Sequence, residues 1–327
     1  MNPKLYEDWK KSLEGHRLPA AVLDLDAFDR NVKALAGWAA ASTIRPKTIR
    51  IATKSVRTPD LLRRVLDSSP VFRGLMCYSA EEALWLSSLG FDDFLVAYPT
   101  YQDAALEAFF ELRQKGKTVY AMTDSLDTVD RIAKGLSGCA NPLPVLIDYD
   151  ASLRLFGGRL HLGVRRSPIR SPLQAIAVIE EILRQPELEF AGVMSYEAQV
   201  AGLTDRNPFH RFLNPFAGWI RRASATSIAE RREELAAVLS AQKLPFQIFN
   251  GGGTGSLDTT SYEDILTEVT AGSALFAPHL FDYYSNIQFE PSLMFALQVV
   301  RSSDPGYVTC QGGGYIASGT PGWERRV

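Results

Sequence analysis

The sequence contains few cysteines and few histidines for its length. Its 327 residues include four histidines and three cysteines, Cys77, Cys139 and Cys310. The cysteines lie far apart and form no CxxC or Cys/His pattern. These spacings argue against a disulfide framework and a structural zinc site, and we expect the protein to reside in the reducing cytoplasm.

Long apolar runs and an excess of charge of one sign are also missing. No run approaches the roughly eighteen apolar residues of a membrane span, and the N-terminus mixes charges of both signs. The 35 basic residues nearly balance the 37 acidic ones, for a formal net charge of -2. This balance suits neither nucleic acid nor an anionic membrane, so we expect a soluble protein with neither partner.

What the chain does contain is an alternation of apolar runs and amphipathic segments. Eight short apolar runs lie at residues 48–53, 74–77, 94–97, 118–122, 144–148, 190–194, 246–249 and 268–270. Segments with helical spacing of apolar residues lie between them, at 59–66, 80–89, 103–115, 125–136, 173–184 and 227–242. This alternation predicts a parallel sheet, and eight repeats favour a (β/α)8 TIM-type barrel over an open doubly wound sheet.

The two ends of the chain depart from this rhythm. Residues 1–19 are predicted to form a polar helical leader and residues 20–290 the barrel. Residues 291–327 contain two strand-like runs, MFALQVV and YVTCQ, and predict a small C-terminal β domain. We expect this domain to be incomplete, because so few strands leave an unpaired edge. The apolar run at 20–25 has no place in an eight-stranded barrel, so we expect it to pair with the C-terminal β domain.

Two glycine-bearing turns follow the last two predicted strands. The first is Asn250-Gly251-Gly252-Gly253-Thr254-Gly255-Ser256, and the second is Ala271-Gly272-Ser273. Each alone also fits an ordinary tight turn, but the loops after strands seven and eight of such barrels commonly bind phosphate. The pair therefore predicts a phosphate site built from neutral donors, since neither turn contains Lys or Arg.

Lys54 directly follows the first predicted barrel strand. An amine at the carboxyl end of a barrel strand faces the same mouth as the two turns, where partial desolvation makes it a nucleophile for a carbonyl. The alternative is a solvated surface lysine. Lys47 precedes the strand and is expected to lie at the opposite end of the barrel.

These residues carry a family resemblance. The series AVLDLDAFDRNV, IRIATKSVRTPDLL, MSYEAQVAG, FNGGGTGSL and TEVTAGSALF, spread over residues 19–319, resembles fold-type III pyridoxal-phosphate enzymes. Within them it resembles the D-threonine aldolase and cryptic D-serine deaminase (dehydratase) branch. The resemblance implies an alanine-racemase-like barrel with pyridoxal 5'-phosphate held as an aldimine on Lys54. It also implies a phosphate site formed by Gly252, Gly253, Thr254, Gly272 and Ser273, with Asn250 at the start of the turn.

The chain departs from the family pattern at an arginine. Where the family has an Arg-x-Gly-Val turn whose arginine contacts the phenolic oxygen of the cofactor, this chain has His161, with Arg159 two residues earlier. Either residue could face that oxygen, and a structural role for His161 is equally open. Tyr196 and Glu197 follow the sixth strand and could flank the cofactor ring, whereas Asp148 and Asp150 are better explained by capping or an ion pair.

A second departure concerns metal. Members of this branch use a divalent metal with His and Cys or Asp ligands in the C-terminal β domain, and this chain contains no such cluster. His279 is isolated along the sequence, so we assign no metal ligand.

The resemblance implies a pyridoxal-phosphate-dependent lyase for a small D-amino acid, of the D-serine deaminase/dehydratase or D-threonine aldolase type. The substrate amine would displace Lys54, which would then act as the base at the α-carbon. An amino-acid racemase is the first alternative. A non-catalytic pyridoxal-phosphate carrier and a cofactor-free Schiff-base enzyme are the others. Barrels of this type complete their sites at a dimer interface, so a homodimer is expected.

Overall fold

Strands and helices alternate along the chain, in a computed structural model that describes residues 3–41, 44–209 and 211–312. In chain order the strands are β1 (Ala20–Leu23), β2 (Thr48–Ala52), β3 (Phe72–Cys77), β4 (Phe94–Val96), β5 (Val119–Thr123), β6 (Leu143–Asp148), β7 (Leu153–Leu155), β8 (Leu160–Leu162), β9 (Leu188–Ser195), β10 (Ile248–Gly251), β11 (Glu268–Ala271), β12 (Leu293–Ala296), β13 (Gln298–Arg301) and β14 (Thr309–Gln311). The helices are α1 (Pro3–Ser12), α2 (Leu25–Ala39), α3 (Thr53–Val56), α4 (Pro59–Ser68), α5 (Ala80–Ser88), α6 (Asp103–Gln114), α7 (Leu126–Gly135), α8 (Pro172–Arg184), α9 (Ala198–Ala201), α10 (Asn214–Ala241) and α11 (Leu257–Thr260).

Eight parallel strands close into a barrel in the order β10, β11, β2, β3, β4, β5, β6, β9. Closure is made where β11 pairs with β2, with Glu268 opposite Thr48 and Ala271 opposite Ile51. Each of the eight predicted barrel strands is present. The (β/α)8 barrel is therefore confirmed, and the open doubly wound sheet is wrong.

Short polar side chains start several of the surrounding helices. Asp24, Ser79, Ser125 and Ser171 each accept a backbone N–H from the first turn of α2, α5, α7 and α8. Such caps satisfy N–H groups that have no partner inside the helix. They allow the chain to turn from each preceding segment directly into a helix.

Helix α10 begins well before the predicted segment at 227–242. Its buried face includes Arg221, Ser224 and Arg232 among apolar residues at helical spacing. Because Arg221 and Ser224 are polar, the part of the helix before residue 227 lacks the apolar stripe by which an amphipathic helix is identified. Arg221 pairs with Asp258 at 2.9 Å, and Arg232 pairs with Glu197 and Glu263.

The barrel interior has an apolar layer and an ionic layer. Leu95, Met122, Leu146 and Met194 belong to the apolar cluster inside the barrel. Towards the amino ends of the strands, Arg50 forms two hydrogen bonds of 2.8 and 3.0 Å with Glu268. Its guanidinium also contacts Asp93 at 2.8 Å and the ring of Tyr120. Every charge in this layer therefore has an opposite partner, which a buried ion requires.

Outside the barrel, β1 pairs antiparallel with β12, and β13 pairs with β14. The strands predicted near the C-terminus are present, whereas residues 313–327 lie outside the described residues. The division at residue 291 stays a prediction. No helix in the described ranges is long and apolar enough to cross a membrane.

The Arg50 network generates a prediction for stability. Replacing Glu268 with Ala leaves the buried guanidinium without its bidentate partner, so we expect the free energy of unfolding to fall by about 3–5 kcal/mol. Glu290→Ala is the matched control, because Glu290 pairs with Arg30 at a position where both side chains are 54% exposed. It should cost at most about 1 kcal/mol. The free energies of unfolding are measured in urea. If both variants lost the same amount, the buried pair would be no more important than the exposed one.

Candidate active site

A cavity of ≈ 120 Å³ opens at the carboxyl ends of the barrel strands. Parallel closure directs the end of every strand to this mouth. Most of the predicted site residues line it: Lys54, Tyr196, Asn250, Gly252, Gly253, Thr254, Gly272 and Ser273. The lining also includes residues that the sequence did not single out as site residues: Ala52, Ser55, Met76, Cys77, Tyr78, Ala97, Tyr98, Arg166, Met194, Thr270 and Ala271.

Lys54 lies in the short helix α3, directly after β2. The side chain is exposed, but desolvation by the surrounding protein lowers its pKa, and the positive charge of Arg166 lowers it further. A larger fraction of the amine is therefore neutral and nucleophilic near neutral pH than for a fully solvated lysine. Lys47 precedes β2, is buried, and does not line the cavity.

Gly272 allows the second turn to lie against Lys54's strand. A Cβ added there would come within 2.8 Å of the Ala52 carbonyl oxygen and 3.0 Å of the Ser55 side chain. Only glycine permits this approach without displacing the backbone. The turn after β11 and the segment that carries Lys54 are thereby held side by side.

The N–H groups of the two turns divide into two sets. The Gly252 N–H donates to Glu197 Oε2 at 3.2 Å, and the Gly253 N–H donates to Ser256 Oγ at 3.0 Å. Both glycines thus line the cavity while their N–H groups point into the protein. In the part of the chain that the structure describes, the N–H groups of Thr254 and Ser273 have no protein acceptor. These two remain to bind an anion.

The Thr254 hydroxyl adds a third donor to the cavity. Its oxygen accepts hydrogen bonds from Ser273 Oγ at 3.3 Å and from the Ala274 N–H at 3.1 Å. Because both bonds use the oxygen as acceptor, the hydroxyl proton is left to donate. Hydroxyl and amide donors from the turns after two successive strands therefore converge on one place.

Arg166 is the cation on the other side of the cavity. Its guanidinium lies over the rings of Tyr98 and Tyr196, at 5.4 and 5.2 Å from their centroids. Arg159 and His161 do not line the cavity. Arg159 is exposed in the connection of the β7–β8 hairpin, and His161 pairs with Arg154 across it. Sequence reasoning missed Arg166, although it follows Gly163-Val164 by only two residues.

Tyr196 and Glu197 are adjacent in sequence but point to different environments. Tyr196 lines the cavity, and burial raises the pKa of its hydroxyl, which therefore stays protonated. Glu197 is only 2% exposed and lies among hydrogen-bond donors beneath the first turn. It therefore does not flank the cavity space in which a cofactor ring would lie.

Asn250 and Thr270 form a fixed polar pair in the lining. The amide nitrogen of Asn250 donates to Glu268 Oε1 and to Thr270 Oγ1, both at 2.8 Å. The side-chain amide oxygen of Asn250 and the hydroxyl proton of Thr270 are left for a ligand. The site therefore offers one acceptor and one donor at this position.

The fold and the cavity define a parallel β/α barrel whose mouth combines a lysine amine with two anion-binding turns. The chain belongs to the family described as alanine racemase, N-terminal domain, whose sequence profile matches residues 23–278. This is a family of pyridoxal-phosphate-dependent proteins.

Relatives and solved structures carry more specific names. A D-threonine aldolase of Arthrobacter sp. is 23% identical over 301 residues, which are 90% of this chain and 71% of that protein. A 3-hydroxy-D-aspartate aldolase of Paracoccus denitrificans (strain Pd 1222) is 22% identical over 79% of this chain, which spans 60% of that relative. The crystal structure of D-threonine aldolase from Filomicrobium marinum matches with a TM-score of 0.74 at 21% identity, covering 91% of this chain and 74% of that one. The structure of D-threo-3-hydroxyaspartate dehydratase from Delftia sp. HT23 matches with a TM-score of 0.67 at 21% identity. The match covers 88% of this chain and 69% of that one.

Among the described residues, no group of three or more His, Cys, Asp or Glu side chains is arranged to hold a metal ion. His279 is not isolated in space, since its ring contacts Asp282 at 3.0 Å and Tyr283 at 2.6 Å. This cluster is not part of the cavity lining.

Asp148 and Asp150, at the end of β6, differ in their surroundings. Asp150 accepts hydrogen bonds from the Ser152 N–H and hydroxyl and from Arg170. The contact with Arg170 is the predicted ion pair, whereas capping of a helix is wrong, because a strand follows. Asp148 is buried, and burial raises its pKa to about 7 against the opposing charge of Arg166. Asp148 is thus substantially protonated at neutral pH.

The raised pKa of Asp148 predicts a pH dependence of stability. In the unfolded chain this carboxyl ionises at about pH 4, but in the folded protein it ionises at about pH 7. Between these values the folded state binds more protons, so the contribution of Asp148 to stability falls as pH rises. The free energy of unfolding of the wild type should fall, relative to Asp148→Asn, by up to about 1.4 kcal/mol per pH unit in this window. Parallel pH curves for the two proteins would contradict the assignment.

Proposed function

We propose that the protein is a pyridoxal-phosphate-dependent lyase that acts on a small D-amino acid and holds its cofactor covalently on Lys54. The reaction is of the D-serine dehydratase or D-threonine aldolase type. The observation that carries this proposal is the meeting of the Lys54 amine with the turns at Gly252–Gly253 and Gly272–Ser273 in one cavity. The names of the relatives support the reaction class and the D-amino acid.

The residues present fit the cofactor. Its phosphate would be held by the N–H groups of Thr254 and Ser273 and by the Thr254 hydroxyl, whose donors have no other acceptor. Gly272 lets the second turn lie against the segment that carries Lys54, where a Cβ would clash with the Ala52 carbonyl oxygen. Arg166 would take the role of the family arginine beside the phenolic oxygen, because Arg159 and His161 do not line the cavity.

When bound, pyridoxal phosphate would supply a ring that accepts the electron pair left at the α-carbon of the substrate. The base that takes the α-proton is the Lys54 amine, whose lowered pKa increases the unprotonated fraction. Neither a carboxylate nor a histidine lines the cavity in the described ranges. Proton donors in the lining include the hydroxyls of Tyr78, Tyr98 and Tyr196.

Lys54→Ala tests the covalent linkage. Wild type purified with added pyridoxal phosphate should show a visible absorbance band from the lysine-bound cofactor, and the variant should lack it because no amine replaces Lys54. Borohydride reduction of the wild type fixes the cofactor permanently on its lysine. Peptide mapping should then find this phosphopyridoxyl group on Lys54. An unchanged band in the variant, or a label on another lysine, would reject the assignment.

Product analysis separates the reactions. A dehydratase releases pyruvate and ammonia from D-serine, whereas an aldolase releases glycine from D-threonine. Either product, with or without added divalent metal, supports the lyase. Formation of L-isomers alone would indicate a racemase, and a visible band without turnover would indicate a carrier. A colourless protein that borohydride links to substrate would indicate a cofactor-free Schiff-base enzyme.

Arg166→Gln tests the contact with the phenolic oxygen. Loss of a charge-assisted hydrogen bond should weaken binding of pyridoxal phosphate by about tenfold or more. Binding of 3-deoxypyridoxal phosphate, which lacks that oxygen, should change much less. Arg165→Gln is the matched control, since Arg165 is the exposed neighbour and does not line the cavity. Similar losses for both ligands in Arg166→Gln would indicate a general electrostatic effect instead.

A further inference from the structure

A buried carboxylate lies directly beneath the first glycine turn. Glu197 is 2% exposed and Arg232 is fully buried. The Glu197 carboxylate accepts hydrogen bonds from the Arg232 guanidinium, from Ser256 Oγ and Thr260 Oγ1, both at 2.6 Å, and from the Gly252 N–H. The two carboxylate oxygens thus bind donors from the turn, from α11 and from α10.

This carboxylate determines where the N–H groups of the turn point. Glu197 Oε2 binds the Gly252 N–H directly. Glu197 Oε1 accepts the Ser256 hydroxyl, and the oxygen of that hydroxyl accepts the Gly253 N–H at 3.0 Å. With two successive peptides held inward, the next residue, Thr254, is presented to the cavity with its N–H and its hydroxyl proton unused.

The charge of Glu197 is compensated inside the protein. Burial by itself raises the pKa of Glu197, but the charge of Arg232 and the hydroxyl donors outweigh it and hold the pKa below its ordinary value. Arg232 also binds Glu263 at 2.7 and 2.8 Å, on the side away from the turn. The carboxylate therefore remains an anion that accepts hydrogen bonds, with the guanidinium of Arg232 as its partner.

We propose that Glu197 is a positioning residue for the phosphate of the bound cofactor. Held by Arg232, it draws the two glycine N–H groups inward and so aims the donors of Thr254 at the phosphate. The inference rests on the proposed function, since it assumes that the anion in this cavity is the phosphate of pyridoxal phosphate. It predicts that Glu197 affects recognition of the phosphate and leaves recognition of the aldehyde and ring unaffected.

The test compares two ligands that differ only in the phosphate. Dissociation constants of pyridoxal phosphate and of pyridoxal are measured on the cofactor-free protein by absorbance titration. In Glu197→Gln an amide N–H₂ replaces one acceptor and faces donors, so the turn must shift. We expect pyridoxal phosphate to bind about tenfold more weakly, a loss of about 1.4 kcal/mol, while pyridoxal changes by less than about twofold. Glu263→Gln, which alters the other partner of Arg232, should leave the ratio of the two constants near that of the wild type.

A second pair of variants tests the relay if Glu197→Gln does not fold. Ser256 and Thr260 both donate to Glu197 Oε1 at 2.6 Å, but only Ser256 also binds the Gly253 N–H. Ser256→Ala should lower the preference for pyridoxal phosphate over pyridoxal, and Thr260→Val should not.

The outcomes separate this inference from the proposed function. Equal weakening of both ligands in Glu197→Gln, or equal effects of Ser256→Ala and Thr260→Val, would overturn the positioning role while leaving the cofactor assignment intact. Failure of the wild type to bind either ligand would instead refute the proposed function, and this inference with it. Competition of inorganic phosphate with pyridoxal phosphate, weaker in Glu197→Gln than in the wild type, would support the positioning role directly.

Discussion

Closure of eight parallel strands is the constraint on which the site depends. Because the strands run in one direction around a closed barrel, their carboxyl ends meet at one mouth. Lys54 after β2 and the turns after β10 and β11 thereby share a cavity, although about two hundred residues separate them along the chain. The pairing of β11 with β2 makes two of these elements direct neighbours, and Gly272 allows their backbones to touch.

Buried ion pairs support this architecture at both ends of the barrel. Arg50 binds Glu268 inside the barrel, and Glu268 in turn accepts a hydrogen bond from Asn250, which lines the cavity. Arg232 performs a similar function beneath the turn, where it binds Glu197 and Glu263. In a medium of low polarity such charges are tolerated only when fully paired, so each network holds its residues in one arrangement.

Much of the fold and part of the site were predictable because they depend on local pattern. Apolar runs of strand length, separated by segments with helical spacing, indicate the barrel, and the position of Lys54 after the first strand indicates its end of the barrel. The amino-terminal half of α10 was not predictable in this way. Its buried face carries Arg221 and Ser224, and Asp258, the partner of Arg221, lies on an element distant in sequence.

The sequence by itself determined the order of strands and helices, the family, and the lysine and glycine turns at the strand ends. Only the tertiary structure decided which polar side chains reach the cavity. Tyr196 faces it and Glu197 turns beneath it, and Arg166 reaches it where Arg159 and His161 do not. The reason is that the direction of a side chain in an irregular loop depends on contacts with distant elements, here the rings of Tyr98 and Tyr196 and the guanidinium of Arg232. The spacing of residues along the sequence does not indicate those contacts.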